Sequence, residues 1–99
     1  MFARVHVLET TSESDERGLE IVRDQLLPYL RDSTGFRGLI RLAAPDRGKT
    51  LVITLWADEE ALAGSLEAAA RFGDLSAEAT GAKRLALEQY EATFFDVTA

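Results

Sequence analysis

The chain has 99 residues, 46% hydrophobic and 28% charged, with a net charge of −6 from 17 acidic and 11 basic residues. That length fits one domain with one modest core, so residues 1–99 are read as a single domain of an ordinary globular protein. Acids are interspersed along most of the chain, so it lacks the clustered lysines and arginines that displace counterions from nucleic acid. There is no cysteine, which excludes disulfides and thiolate chemistry, and the single histidine, His6, excludes a multi-histidine metal site within one chain.

The opening MFARVHVLE carries Arg4 and Glu9, so it lacks the apolar centre of a signal peptide. No run approaches the roughly 20 apolar residues of a membrane span. The expected location is the cytoplasm, with no membrane or nucleic-acid partner.

Phe2 to Glu9 alternates as a strand, with Ala3, Val5 and Val7 on one side and Phe2, Arg4, His6 and Leu8 on the other. The polar run TTSESDE then supplies N-caps and first-turn acids for a helix. Leu19, Val22, Leu26, Leu27 and Leu30 recur at helical spacing. Pro28 removes a backbone donor inside this pattern, which predicts a kink near Asp24 and an end near Gly35.

Phe36 to Ala43 reads as a second strand, APDRGK as a turn, and Thr50 to Trp56 as the returning strand of a hairpin. Asp58 caps a second helix with Glu59 and Glu60 in its first turn, expected to reach Ala70 or Arg71. Gly73 and Gly81 bracket one short helical turn. A last strand falls within Lys83 to Val97, best defined from Gln89 to Val97, with Phe94 and Phe95 on opposite faces.

This order is β-α-β-β-α-β, an α+β, ferredoxin-like plan with a four-stranded antiparallel sheet and both helices on one face. Arg4 and His6 suit a dry face poorly, so Ala3, Val5 and Val7 are expected under the helices. Phe2, Leu8, Leu39, Val52, Trp56 and one of Phe94 and Phe95 then fall on the other face. So large an exposed apolar area calls for cover. At about 25 cal/mol per Å², several hundred Å² is worth of order 10 kcal/mol before association costs. The expected cover is the same face of a second copy, a homodimer joined through the sheet.

GFRGLIRL, TLVITLWADEEAL and LEQYEATFF resemble the antibiotic biosynthesis monooxygenase superfamily, whose members form dimeric α/β barrels. The resemblance follows element order along nearly the whole chain. It rests on GF opening the second strand, W-x-x-x-E-A after the third and Y-E in the last. It implies cofactor-independent oxygenation of a small phenolic or quinone-like substrate, or a module of unknown role. The haem-degrading branch uses a first-strand asparagine and a helix tryptophan and histidine. Here the first strand offers His6 and Val7, Ser65 stands near the tryptophan position, and no histidine follows His6. That chemistry, and haem with it, is not expected.

The candidate site follows from the polar face of the sheet. Arg4 and His6 on the first strand, Arg41 on the second, and Thr54 and Trp56 on the third are expected to face the barrel interior. Tyr90 or Glu91 joins them, according to register. Oxygenation without a cofactor needs a base, an anion-stabilising donor and a dry aromatic cavity. His6 has the intrinsic pKa of a base, Arg4 or Arg41 suits an oxyanion, and Trp56 can stack on a ring. Thr54, Tyr90 and Glu91 are the candidate substrate contacts, no metal site is assigned and no cofactor is required.

A plainer reading stands beside each assignment. His6 reads equally as a hydrogen-bonded filler and Trp56 as a packing residue, while Arg4 and Arg41 can pair with Glu88 or Glu91. On that reading the chain is a non-catalytic homodimeric module, structural or binding a small apolar ligand.

Overall fold

The computed structural model describes residues 1–98, apart from the Glu78 side chain. Strand β1 (Phe2–Glu9) leads into helix α1 (Ser12–Ile21), a π-helical segment (Val22–Leu26) and helix α2 (Leu27–Arg31). Strands β2 (Phe36–Ala44) and β3 (Lys49–Trp56) form a hairpin, followed by helices α3 (Glu59–Gly64) and α4 (Leu66–Thr80) and by strand β4 (Lys83–Glu91). The sheet runs β2-β3-β1-β4 with every pairing antiparallel, the ferredoxin-like arrangement.

Local chemistry accounts for most boundaries. Thr11 caps α1 through a reciprocal capping box with Ser14. Pro28 has no backbone N–H, and the chain answers not with a sharp break but with a π-helical turn immediately before it. That turn keeps Val22, Leu26 and Leu30 on one buried stripe, with Ile21 beside them. Asp58 Oδ1 accepts from the Ala61 amide at 2.8 Å and starts α3.

Two helical expectations fall short. The second helical region does not stop near Arg71: it breaks at Ser65, resumes, and runs to Thr80, where Gly81 closes it at φ +69°. Gly73 lies inside α4, and the Arg84 guanidinium comes within 3.2 Å of the place its Cβ would occupy. Gly35 is the tightest backbone approach, at φ +79° with a would-be Cβ 2.4 Å from Ala61 Cβ.

The last strand also moves. Strand β4 ends at Glu91, opposite Phe2, and just beyond it the Ala92 amide donates to the Met1 carbonyl at 2.8 Å. Phe94 and Phe95 therefore lie past the sheet, both exposed, rather than alternating across it.

The largest correction concerns the two faces of the sheet. Register aligns Arg4 with Thr54, His6 with Val52 and Phe2 with Trp56. This set, with Leu8, is the one the helices cover: Arg4, His6, Val52 and Trp56 are 0–2% exposed. Leu8, Val22, Leu26, Leu30, Val52, Trp56, Leu62 and Phe72 form one core cluster, with Phe2 and Leu39 packed against it. Val5 and Val7 lie on the uncovered face with Ile40, Leu42, Leu51 and Ile53. The bulky set won the dry side because its volume fills the space under the helices, and Arg4 finds hydrogen-bond partners there.

Candidate functional site

Four of the seven predicted site residues converge. Arg4, His6, Thr54 and Trp56 line one closed chamber between the sheet and the helices, walled by Leu26, Leu30, Ser65, Ala68, Ala69 and Phe72. The chamber lies inside a single chain, not on the face expected to look into a dimeric barrel. It leaves only about 10 Å³ for the centre of a water-sized sphere, roughly one water molecule.

Arg4 is held by the break between α3 and α4. Its Nε donates to Ser65 Oγ at 2.9 Å and its Nη2 donates to the Leu62 carbonyl at 2.8 Å. Ser65 Oγ donates to the same carbonyl. A helix end leaves carbonyls without helical partners and carries partial negative charge, so a guanidinium is stabilised there. This is why an arginine can lie on the dry face. The third nitrogen, Arg4 Nη1, has no partner among the described residues.

His6 is the second unsatisfied group. Its ring meets Phe72 edge to face at 5.0 Å, and its Nδ1 is buried without a partner. Desolvation chiefly, then the charges of Arg84 and Arg4, push its pKa down to about 4. The imidazole is therefore neutral at pH 7, and an unprotonated ring nitrogen is an acceptor. Desolvation and Arg84 also lower the pKa of Arg4, whose ordinary value is too high for this to discharge it.

Thr54 and Trp56 complete the wall. Trp56 Nε1 donates to Thr54 Oγ1 at 3.0 Å, which fixes the indole, and Phe36 packs on it at 5.6 Å.

The other three residues lie elsewhere. Arg41 turns toward α1, where its Nη2 donates to Asp15 Oδ1 at 2.7 Å and to the Asp15 carbonyl at 3.1 Å. Tyr90 stands opposite Ala3 on the uncovered face, 53% exposed, and Glu91 is exposed opposite Phe2. Neither arginine pairs with Glu88 or Glu91, since better acceptors lie on the helices. Strand alternation could not reveal this, because the acceptors are a helix carbonyl and a first-turn aspartate.

Sequence reasoning missed Ser65, Phe72 and Arg84. Ser65 had a signal in the Gly64-Ser65 pair inside a helical pattern. Phe72 sits in α4 beyond the expected helix end. Arg84 reaches across from β4 to donate to the Ala69 carbonyl at 3.1 Å.

A second, open cavity adjoins the chamber. A groove of about 530 Å³ shares Trp56, Ser65 and Ala68 with it, and Tyr29, Ser33 and Gly35 add to its walls. One layer of side chains thus separates an accessible groove from the buried Arg4 and His6.

No family model and no curated protein matches the sequence. The solved structures do. A monooxygenase from the ActVA-Orf6 gene of Streptomyces coelicolor, in complex with nanaomycin D, superposes with a TM-score of 0.69 at 14% identity. That match covers 97% of this chain and 92% of the other. An antibiotic biosynthesis monooxygenase matches with a TM-score of 0.63 at 16% identity, over 94% and 99% of the two chains. A protein of unknown function from Nitrosomonas europaea matches with a TM-score of 0.66 at 19% identity, over 99% and 95%. The chain therefore has the fold of the antibiotic biosynthesis monooxygenases, from β1 to the end of β4.

Proposed function

We propose that this chain is a cofactor-independent monooxygenase of a small phenolic or quinone-like substrate. One observation carries the reading: a buried arginine and a buried neutral histidine line the same chamber, each with an unpartnered nitrogen. Arg4 Nη1 needs an acceptor, and His6 Nδ1 needs a donor in the tautomer that leaves it unprotonated. A hydroxyl group is both. Buried polar groups are rarely left unpaired without a reason, and a site for a ligand hydroxyl is one.

In this reading the substrate ring occupies the open groove and its hydroxyl reaches the chamber past Ser65. The wall shared by the two cavities must move for this, since the chamber holds no more than a water. His6 accepts the phenolic proton. Its lowered pKa makes it a weak base, but the phenolate formed beside it and beside Arg4 offsets that weakness. The phenolate gives one electron to dioxygen, the radical pair joins as a C–O bond at an unsubstituted ring carbon ortho or para to the oxyanion, and a proton completes the hydroperoxide. The O–O bond then breaks as the ring C–H gives up its proton. One oxygen atom stays as the quinone oxygen and the other leaves as water, so the substrate supplies every electron.

The named monooxygenases among the structural neighbours support this reading through the fold alone. The uncovered sheet face supports a homodimer, because Val5, Val7, Ile40, Leu42, Leu51 and Ile53 form an apolar surface that a second copy would bury. The chamber's small size favours a second reading, a homodimeric module without catalysis that binds a small ligand in the groove or serves a structural role.

Oxygen uptake with a panel of hydroxylated aromatics separates the two. The enzyme reading expects turnover, and a loss of about 10²–10⁴ in rate for His6→Gln with the fold intact. Uptake that survives in His6→Gln within tenfold removes His6 from the mechanism. No uptake with any member leaves the non-catalytic module.

A further inference from the structure

The outer groove carries information about the far end of its occupant. Asp58, Glu60 and Glu67 line it, and among the described residues no lysine or arginine does. Asp58 is engaged as the cap of α3. Glu60 and Glu67 are exposed and have no ion-pair partner among the described residues. Tyr29 and Trp56 add aromatic surface, and the nearby Arg71 is drawn off onto the Tyr29 ring, 5.3 Å from its centre.

Gly64 lies between the two glutamates in sequence and lines the same groove. No atom comes within 4 Å of the place its Cβ would occupy. The groove is therefore open at Gly64. At its inner end lies the chamber with the two unpartnered nitrogens of Arg4 and His6, both residues at most 2% exposed.

We propose that the groove selects ligands carrying a positive charge, a protonated amine at the end of a short chain on a hydroxylated ring. The ring hydroxyl answers Arg4 and His6, and the ammonium answers Glu60 and Glu67. This proposal rests on the hydroxyl-binding reading above, but its chemistry lies at the opposite end of the ligand. A carboxylate in the same place would meet two like charges.

The test is calorimetric titration of the whole protein with four probes: tyramine, phenethylamine, 4-ethylphenol and 4-hydroxyphenylacetate. Tyramine is expected to bind roughly tenfold more tightly than 4-ethylphenol, with 4-hydroxyphenylacetate weakest and the preference shrinking as salt rises. The Glu60→Gln, Glu67→Gln double variant should bring tyramine and 4-ethylphenol to near equality. Gly64→Leu fills the groove at a position whose backbone is not strained. It should keep or raise the melting temperature and abolish tyramine binding.

The two readings fail separately. If 4-ethylphenol and 4-hydroxyphenylacetate bind as tightly as tyramine, the charge selection is wrong and the hydroxyl site stands. If phenethylamine binds as tightly as tyramine, the hydroxyl site is wrong and the charge selection stands. Binding of tyramine that survives in Gly64→Leu, or no binding of any probe, overturns the proposal.

Discussion

The two faces of the sheet differ in the opposite sense from a simple polarity rule. The covered face holds an arginine, a histidine and two threonines, with Arg4 1% and His6 2% exposed. The uncovered face is lined largely with Val, Ile and Leu, yet Ile40 is 38% and Leu42 50% exposed. Side-chain volume and available partners decided the matter: Phe2, Leu8, Val52 and Trp56 fill the space beneath the helices, and a helix end receives the guanidinium. What teaches most is the residue that ought not to be there. A charge can lie on the dry face if the fold brings it a terminal carbonyl.

The sharpest way to break this comparison is to make equivalent changes on the two faces. Trp56→Ala removes a side chain that is 1% exposed and should cost about 3–5 kcal/mol in a denaturant titration. A cost under about 1 kcal/mol would mean that the covered face is not the core.

A pH titration of stability comes next. The folded-state pKa of His6, about 4, lies below its ordinary value of 6.5. The unfolded chain therefore takes up a proton that the folded chain refuses. Stability is fully present above pH 6.5 and falls as pH drops from 6.5 toward 4, by about 3 kcal/mol. This acid-side loss should vanish in His6→Gln, so the difference between the two proteins isolates it. Parallel pH profiles would show that His6 titrates normally.

On the uncovered face, Ile53→Lys should act on assembly. Ile53 stands between Val5 and Ile40 at the middle of that face. The substitution should change monomer stability by less than about 1 kcal/mol while removing the two-chain species in sedimentation at about 10 μM. Wild-type protein that sediments as one chain would leave the apolar face without a second copy to cover it. Val52, also on β3, cannot serve this test, because it is 0% exposed in the core and a charge there would unfold the chain.

The smallest effect is expected at Arg41. Its pair with Asp15 is partly buried, and Arg41→Gln should cost about 1 kcal/mol. It should leave ligand binding in the groove unchanged, since Arg41 faces α1 rather than the chamber. A large loss of binding would return Arg41 to the candidate site.

Element order and most strand positions were legible from periodicity, caps and turn residues, since those signals act over a few neighbouring residues. The α1 cap, the hairpin turn and the Asp58 cap are of this kind. The extent of α4 was less legible, because Gly73 reads locally as a breaker although the helix runs through it. The end of β4 was less legible too, because its pairing with β1 joins distant parts of the chain.

For the candidate site, alternation put Arg4 and His6 on one face and aligned them with neither helix. The sequence by itself determined which side chains share a face, because the two-residue period of a strand is a local property. Which of those faces the helices cover was decided only in the tertiary structure. Two alternating sets of similar hydrophobic content compete for it. The winner is settled by packing volume and by a carbonyl at Leu62 that becomes available when the helix breaks at Ser65.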